Sequence, residues 1–337
     1  MNGEKFTPSE AIRNPEGLNL LELPKANEDV EEVDIEGGKA EIVRPRGFEG
    51  FEVVVGARID DPREEVWDKS VFYQQAEIDP SRIVGIKQAH TANVIEVGEE
   101  LAGQGATFKK GDEDGRVTTD GGAGVDAAWT KDPDLGFVVA TADCAAVMIA
   151  GKDKEGKKIV GITHAGIAGA QQDIVGNLLR DMEENGGADP KSLKVYVGPN
   201  ISEQYYTILS DAASDEQIDK IRGSQEVVVS TEDGIETKVN LTKITESFLR
   251  FKERYGEKFR EIYGRELAEN DVYYIDRNEK GELELHYNLN SMIYLSLVGN
   301  GVAIENIGFS EICSFGDNLP SNRRTKETTG IFSVIKT

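Results

Sequence analysis

Between Gly136 and Gly151 the chain reads GFVVATADCAAVMIAG, an apolar run bounded by glycines and interrupted at Asp143. A run of this kind is expected of a strand buried on both faces, which needs a covering layer on each side of its sheet. It falls short of the ~20 apolar residues that a membrane-spanning helix requires. The flanking segments point the same way. KKIVGITHAG is a second β-rich run that stops at Gly166, and AQQDIVGNLLRDMEENGG then sets Ile174, Leu178, Leu179 and Met182 at helical spacing. Gly186 and Gly187 supply a left-handed stop. LKVYVGPN follows as a further strand, so strands and helices alternate and an α/β sheet is favoured over all-α or all-β folds.

The rest of the chain is arranged around that core. Residues 1–45 mix charge, Pro and Gly, and read as an N-terminal extension in which ANEDVEEVDIEGG is a solvated connector or an edge hairpin. Strand-like FEVVVGAR and RIVGIKQAH follow, the latter ending at His90. Residues 46–337 are expected to form one α/β domain, with an insertion at about 211–285 that carries a charged helix and two alternating strands.

With 62 acidic against 38 basic residues, the formal charge is −24. A surface this negative repels nucleic acid and anionic lipid unless a local basic patch overrides it, and no such patch is visible. Nucleic-acid and membrane partners are therefore not expected, and charge alone names no substrate. MNGEKFTPSEAIRNPEG lacks the basic and apolar regions of a secretory signal, which points to the cytoplasm. There, Cys144 and Cys313 are expected as free thiols.

The whole chain contains three histidines, His90, His164 and His286, too few for a multicopper centre built largely from imidazole. A single metal remains within reach. His90 closes one predicted strand, Cys144 lies in the next buried strand and His164 ends the one after, so all three can converge at one end of a sheet. Two imidazoles and a thiolate leave tetrahedral zinc one open position, the arrangement of a catalytic site, where bound water is acidified towards neutrality. The plainer alternative is that Cys144 is a small core residue and the histidines are capping or surface groups.

The segments KQAHTANVIEV, GVDAAWTKDPDLGFVVATADCAAVMIAG, KIVGITHAGIAG, VGPNISEQYY and EICSFGDNLPSNRRTKETTGIF cover roughly half the chain. In residue order and ligand spacing they resemble the laccase-domain family, also known as polyphenol oxidase, YfiH-like or purine nucleoside phosphorylase family proteins. The resemblance implies a sandwich of mixed β-sheets flanked by helices, with zinc held by His90, Cys144 and His164. It also implies phosphorolysis of adenosine, inosine, guanosine and methylthioadenosine, together with adenosine deamination. Deamination needs a carboxylate to shuttle protons. Asp143 is the first candidate beside Cys144, although on a regular strand the two point to opposite faces, and a structural role for Asp143 is equally open. Asp126 is the weaker candidate, read more simply as a turn cap. Nucleoside and phosphate are the expected small-molecule partners. For phosphate, Arg323 and Arg324 are the best cations, aided by the amides of the turn from Gly166 to Gly169.

The chain departs from that family at several points. HAGIAG places Ile167 and Ala168 where the family has an aromatic residue and an arginine, and TGI ends at Ile331 where an arginine is usual. Thr91 follows the first His in place of Gly, Ala145 follows the ADC motif in place of Pro, and the family's early Gly-Gly-x-Ser motif is absent. Losing two arginines removes positive charge where an anionic co-substrate needs it, so metal ligation is better supported than phosphorolysis. Three alternatives stand beside the zinc enzyme. They are a metal-free cysteine hydrolase or deamidase using Cys144 and His164, an inactive nucleoside-binding descendant, and a copper-dependent polyphenol oxidase. The last is the weakest, since Met148 lies too far along a strand from Cys144 to be a natural axial ligand.

Overall fold

The computed structural model describes residues 21–35, 38–58, 69–107, 115–207, 227–230, 236–239, 242–277, 283–317, 319–321 and 330–337. The chain divides into two compact units, the larger formed by Leu23–Ile201 with Ser296–Thr337 and the smaller built on Ser202–Leu295.

Two six-stranded mixed sheets make up the larger unit. In order across the first lie β1 (Glu28–Ile35), β2 (Gly38–Pro45), β3 (Glu52–Arg58), β16 (Ile331–Lys336), β7 (Gly136–Thr141) and β4 (Ile83–Gly85). Only the β4–β7 pair is parallel. Across the second lie β15 (Ile307–Phe309), β10 (Lys194–Val197), β8 (Ala145–Lys152), β9 (Lys158–Ala165), β6 (Ala127–Thr130) and β5 (Val94–Glu96). Here both edge strands run parallel to their neighbours and the inner pairs are antiparallel.

Alternation along the strands explains the layers. Val53 and Val55 of β3, Phe137 and Val139 of β7, Met148 of β8 and Ile162 of β9 share one core between the sheets. The intervening Val54, Val138 and Val334 pack with Phe72 and Tyr73 of helix α1 (Lys69–Ala76) on the far side of the first sheet. On the second sheet, α3 (Ile174–Glu184) buries Ile174, Leu178 and Met182. It packs so closely that a methyl on Gly161 of β9 would lie 2.8 Å from the Met182 sulfur. The result is helix, sheet, sheet, helix.

Several sequence expectations change in detail. The run from Gly136 to Gly151 is two strands, β7 in one sheet and β8 in the other, joined by a bend at 142–144. Fully burying a Val, Ile or Phe contributes about 1.5–3 kcal/mol, more than the ~1 kcal/mol span of strand propensities. Packing therefore decides where the run divides, and because both halves are buried no polar break marks the crossing. The strand expected to end at His90 stops at Gly85, leaving His90 in a loop. The helix expected after the HAG motif is broken into α2 (Ile167–Gln171) and α3. Between them Asp173 adopts φ +61°, and its carboxylate accepts hydrogen bonds from Arg180 and Ser296. Of the two readings of residues 26–38, the edge hairpin forms, with β1 pairing β2 at the border of the first sheet.

The expected insertion at about 211–285 lies within the smaller unit. That unit contains the hairpins β11 (Val227–Ser230) with β12 (Glu236–Val239) and β13 (Tyr273–Arg277) with β14 (Leu283–Tyr287). It also holds α4 (Thr242–Tyr263) and most of α5 (Leu289–Gly299). Phe248, Phe251, Tyr255 and Phe259 recur at helical spacing and are the buried stripe of α4. Tyr273 meets Phe248 edge-on, with ring centroids 6.5 Å apart. No described helix is long and apolar enough to cross a membrane.

Candidate metal centre

Four adjacent strands of the second sheet deliver one functional group each to the same end. β9 arrives there carrying His164 as its penultimate residue. Antiparallel β8 departs from there, and the register that sets Ala145 opposite Ala165 puts Cys144, one residue earlier, beside Gly166. β6 also starts at this end, immediately after Asp126, and β5 runs parallel to it. The loop leading into β5 presents His90.

The ligand atoms of His90, Cys144 and His164 all lie within 4.8 Å of one another. Cys144 Sγ is 3.8 Å from His90 Nε2, and the two imidazole rings meet nearly at right angles with centroids 4.7 Å apart. Exposure is graded across the three: His164 is buried, Cys144 half-buried and His90 exposed. His90 has φ +58°. For a residue with a Cβ this left-handed backbone costs on the order of 1–2 kcal/mol, and it persists only where neighbours enforce it. Gly166 provides the space, since a Cβ there would stand 2.8 Å from Cys144 Sγ and 2.9 Å from His90 Cδ2.

A buried carboxylate supports the cluster. Asp126 Oδ1 lies 2.8 Å from His164 Nδ1, while Asp126 Oδ2 accepts from Thr91 N–H at 2.6 Å and Thr91 Oγ1 at 2.8 Å. Ala89 N–H lies 3.1 Å from Oδ2. Burial disfavours the charged form of Asp126, yet the hydrogen bonds from His164 and Thr91 hold its carboxyl below the ordinary value. Burial likewise opposes ionisation of Cys144, but the positive charge of His164 and hydrogen bonds from both imidazoles bring the thiol down to about 6. His164 is the counterpart. Burial alone would lower it, and the Cys144 thiolate and Asp126 together raise it to about 10. Without a metal, the pair is a thiolate facing an imidazolium.

The remaining site residues fall less simply. Asp143 is in the bend beside Cys144, not on a strand, so alternation of faces does not apply to it. Its Oδ1 accepts a hydrogen bond from Ser314 Oγ at 3.0 Å, and its backbone carbonyl accepts from Ile201 N–H. Gly166 is the N-cap of α2, a helix of five residues, and Gly169 packs against Ile174 and the Thr91 carbonyl. So short a helix concentrates little dipole. Arg323 and Arg324 lie outside the described residues. Cys144 and Cys313 form no disulfide. Met148 points into the core between the sheets. The sequence reading under-weighted Asp126 and missed Ser314. The available signal was a charged residue placed directly before the apolar strand AAWT, where burial demands a partner.

The donor set suits a single ion such as zinc. Ligand atoms around a tetrahedral zinc lie about 3.3–3.6 Å apart, close to the 3.8 Å between Cys144 Sγ and His90 Nε2. Three protein ligands leave a fourth position open. Several copper ions do not fit, because a centre built largely from imidazole needs more than the three histidines the chain contains.

A helix-sheet-sheet-helix protein with a His–Cys–His cluster at the end of one sheet is the class that fold and site define. The chain belongs to the family described as multi-copper polyphenol oxidoreductase laccase, whose model matches residues 48–254. Among solved structures it is similar to the hypothetical protein YfiH of Bacillus licheniformis. That match has TM-score 0.59 and 17% identity, covering 88% of this chain and 96% of that one. YlmD from Geobacillus stearothermophilus matches with TM-score 0.57 and 18% identity, over 88% and 95% of the two chains. At such identities the likeness concerns the fold. A curated relative, purine nucleoside phosphorylase RP494 of Rickettsia prowazekii (strain Madrid E), is 34% identical over 83 residues, 25% of this chain. The match spans 32% of that relative, about a third of its length.

Proposed function

We propose that the protein is a zinc-dependent enzyme of purine nucleosides, acting by phosphorolysis, by adenosine deamination or by both. The observation that carries the metal is the convergence of His90, Cys144 and His164 within 4.8 Å. The substrate class rests on the name of the Rickettsia relative and on the motif resemblance. A zinc ion held by these residues would supply a Lewis acid and a water of lowered pKa at its open position. The chain's own residues do the rest. His164, oriented through Nδ1, and Cys144 present their ligand atoms at the same end of the second sheet. Exposed His90 lies on the approach to the site. Asp143, next to Cys144 in the bend, is the carboxylate we assign to moving a proton at the substrate. Asp143→Asn is expected to lower kcat by about a hundredfold while metal content stays at the wild-type level. An unchanged pH–rate profile removes Asp143 from that role.

The test is product analysis by chromatography after incubating zinc-loaded protein with adenosine, with and without phosphate, beside a Cys144→Ala control. Phosphate-dependent adenine or phosphate-independent inosine, lost in the control, is the expected result. No product from zinc-loaded wild type overturns adenosine turnover and favours a nucleoside binder.

A second reading draws on the order Cys144, His164, Asp126, which also arranges a nucleophile, a base and an orienting carboxylate. A metal-free hydrolase of this kind is alkylation-sensitive and keeps its activity in chelator. The zinc enzyme loses activity in chelator and recovers it with zinc.

A further inference from the structure

Asp126 is fully buried, and its side chain accepts from groups on both segments that present the histidines of the cluster. Oδ1 meets Nδ1 of His164. Oδ2 gathers the hydroxyl and amide of Thr91, and the Ala89 amide also points at the carboxylate. Ala89 and Thr91 flank His90. Two amides converging on one carboxylate from either side of a residue bend the backbone around it, which accounts for the left-handed φ of His90 and turns its side chain outward. The backbone carbonyl of Asp126 also accepts from His164 N–H at 2.7 Å and from Thr163 Oγ1 at 2.8 Å, locking the two segments together.

We infer that Asp126 is a positioning residue for both imidazole ligands at once, fixing the ring of His164 through Oδ1 and the turn that carries His90 through Oδ2. This rests on the reading that the cluster holds a metal. An ionised carboxylate only accepts hydrogen bonds, so His164 Nδ1 carries the proton and its Nε2 keeps a lone pair for the ion. The demand on residue 126 is for two acceptor oxygens. Asparagine has one oxygen and one NH2 group, so whichever way it turns it faces either His164 Nδ1–H or the Thr91 donors with a donor of its own.

The experiment titrates metal-free wild type, Asp126→Asn and Thr91→Val with cobalt(II), followed by optical absorption, and measures zinc affinity by chelator competition. Wild type is expected to show a Cys144 thiolate charge-transfer band and intense d–d bands. Asp126→Asn is expected to bind both metals about 10- to 100-fold more weakly. Its d–d bands shift, while the thiolate band persists at saturating cobalt, because the β8–β9 register holds Cys144 independently. Thr91→Val loses only the hydroxyl donor to Oδ2 and is expected to weaken binding by about two- to fivefold. A purely structural role for Asp126 would change thermal stability without moving the d–d bands. Equal affinity and unchanged bands in Asp126→Asn overturn the inference. A wild type with no thiolate band overturns the metal reading and this inference with it. Should Asp126→Asn fail to fold, the His164 tautomer in zinc-loaded wild type decides by 15N NMR. A proton on Nδ1 is expected, and a proton on Nε2 overturns the proposal.

Discussion

Two histidines of this chain are buried to a similar degree, His164 at 4% exposure and His286 at 7%. Their surroundings differ in kind. His164 has a carboxylate on one ring nitrogen and faces a thiol and a second imidazole. His286, on β14 of the smaller unit, stacks flat on Tyr274 with ring centroids 4.7 Å apart, and its Nδ1 is 3.1 Å from the Glu203 carbonyl. Around His164 the neighbours are ionisable and converge on one point, and among the described residues no other such group of His, Cys and acidic ligands occurs. His286 is instead stacked on an aromatic ring and set against a backbone carbonyl, and it is not part of a group of converging metal-ligating side chains among the described residues. Burial alone therefore does not mark a functional histidine; the charge and convergence of its neighbours do.

The largest expected contrast comes from removing each ring in turn. His164→Ala is expected to weaken zinc binding by roughly a hundredfold or more, a ligand's share of the ~10–16 kcal/mol typical of structural zinc sites. His286→Phe is expected to retain one zinc per chain and to lose about 1 kcal/mol of stability with its hydrogen bond. Metal analysis after dialysis, with thermal melts, checks both. Loss of zinc from His286→Phe would erase the comparison.

A smaller effect is expected at Gly166, where φ is −88° and alanine brings no backbone strain. Its Cβ would crowd Cys144 Sγ and His90 Cδ2. Gly166→Ala is therefore expected to lower metal affinity by on the order of tenfold, with little change in the melting temperature of the metal-free protein. Calorimetric titration with zinc reads this directly, and an unaltered affinity would show that the space beside Gly166 is not used by the ion.

The pH dependence sharpens the picture of the His164 environment further, because His164 and Cys144 shift each other's ionisation. In metal-free protein His164 is raised from 6.5 to about 10, so its stabilising contribution is complete below 6.5 and is lost as pH rises through about 10. Cys144 is lowered from 9.0 to about 6, so its contribution is complete above 9.0 and is lost as pH falls through about 6. The difference in melting temperature between metal-free wild type and Cys144→Ala is thus expected to shrink below about 6 and above about 10. Zinc requires the thiolate and a neutral imidazole, so affinity is expected to fall below about 6. Binding near neutrality is expected to release the proton of His164. Calorimetry in buffers of different ionisation enthalpy counts that proton.

Much of this was legible in the residues themselves. The apolar run around Cys144, the stripe of Ile174, Leu178 and Met182, and the alternation of strands with helices are local patterns, and local patterns define elements because each periodicity buries one face. The cluster of His90, Cys144 and His164 was readable because histidine is so scarce in the chain and because the surrounding motifs resemble a known family. Such signals identify residue types and order along the chain.

Tertiary structure alone decided how those elements meet. Nothing in VVATADCAAVMI marks the crossing from one sheet to the other, since both halves are equally buried, and it is the packing of two sheets that places Asp143 and Cys144 in a bend. The left-handed turn at His90 looks unremarkable in KQAHTAN because its cause, the Asp126 carboxylate, is 36 positions further along the chain. Asp143 stood first among the carboxylates because it adjoins Cys144, and yet Asp126 is the one that reaches the ring of His164 and the residues flanking His90. Sequence proximity carries no information about the far side of a sheet, and the β8–β9 and β5–β6–β9 registers are what bring residues tens of positions apart to within hydrogen-bonding distance.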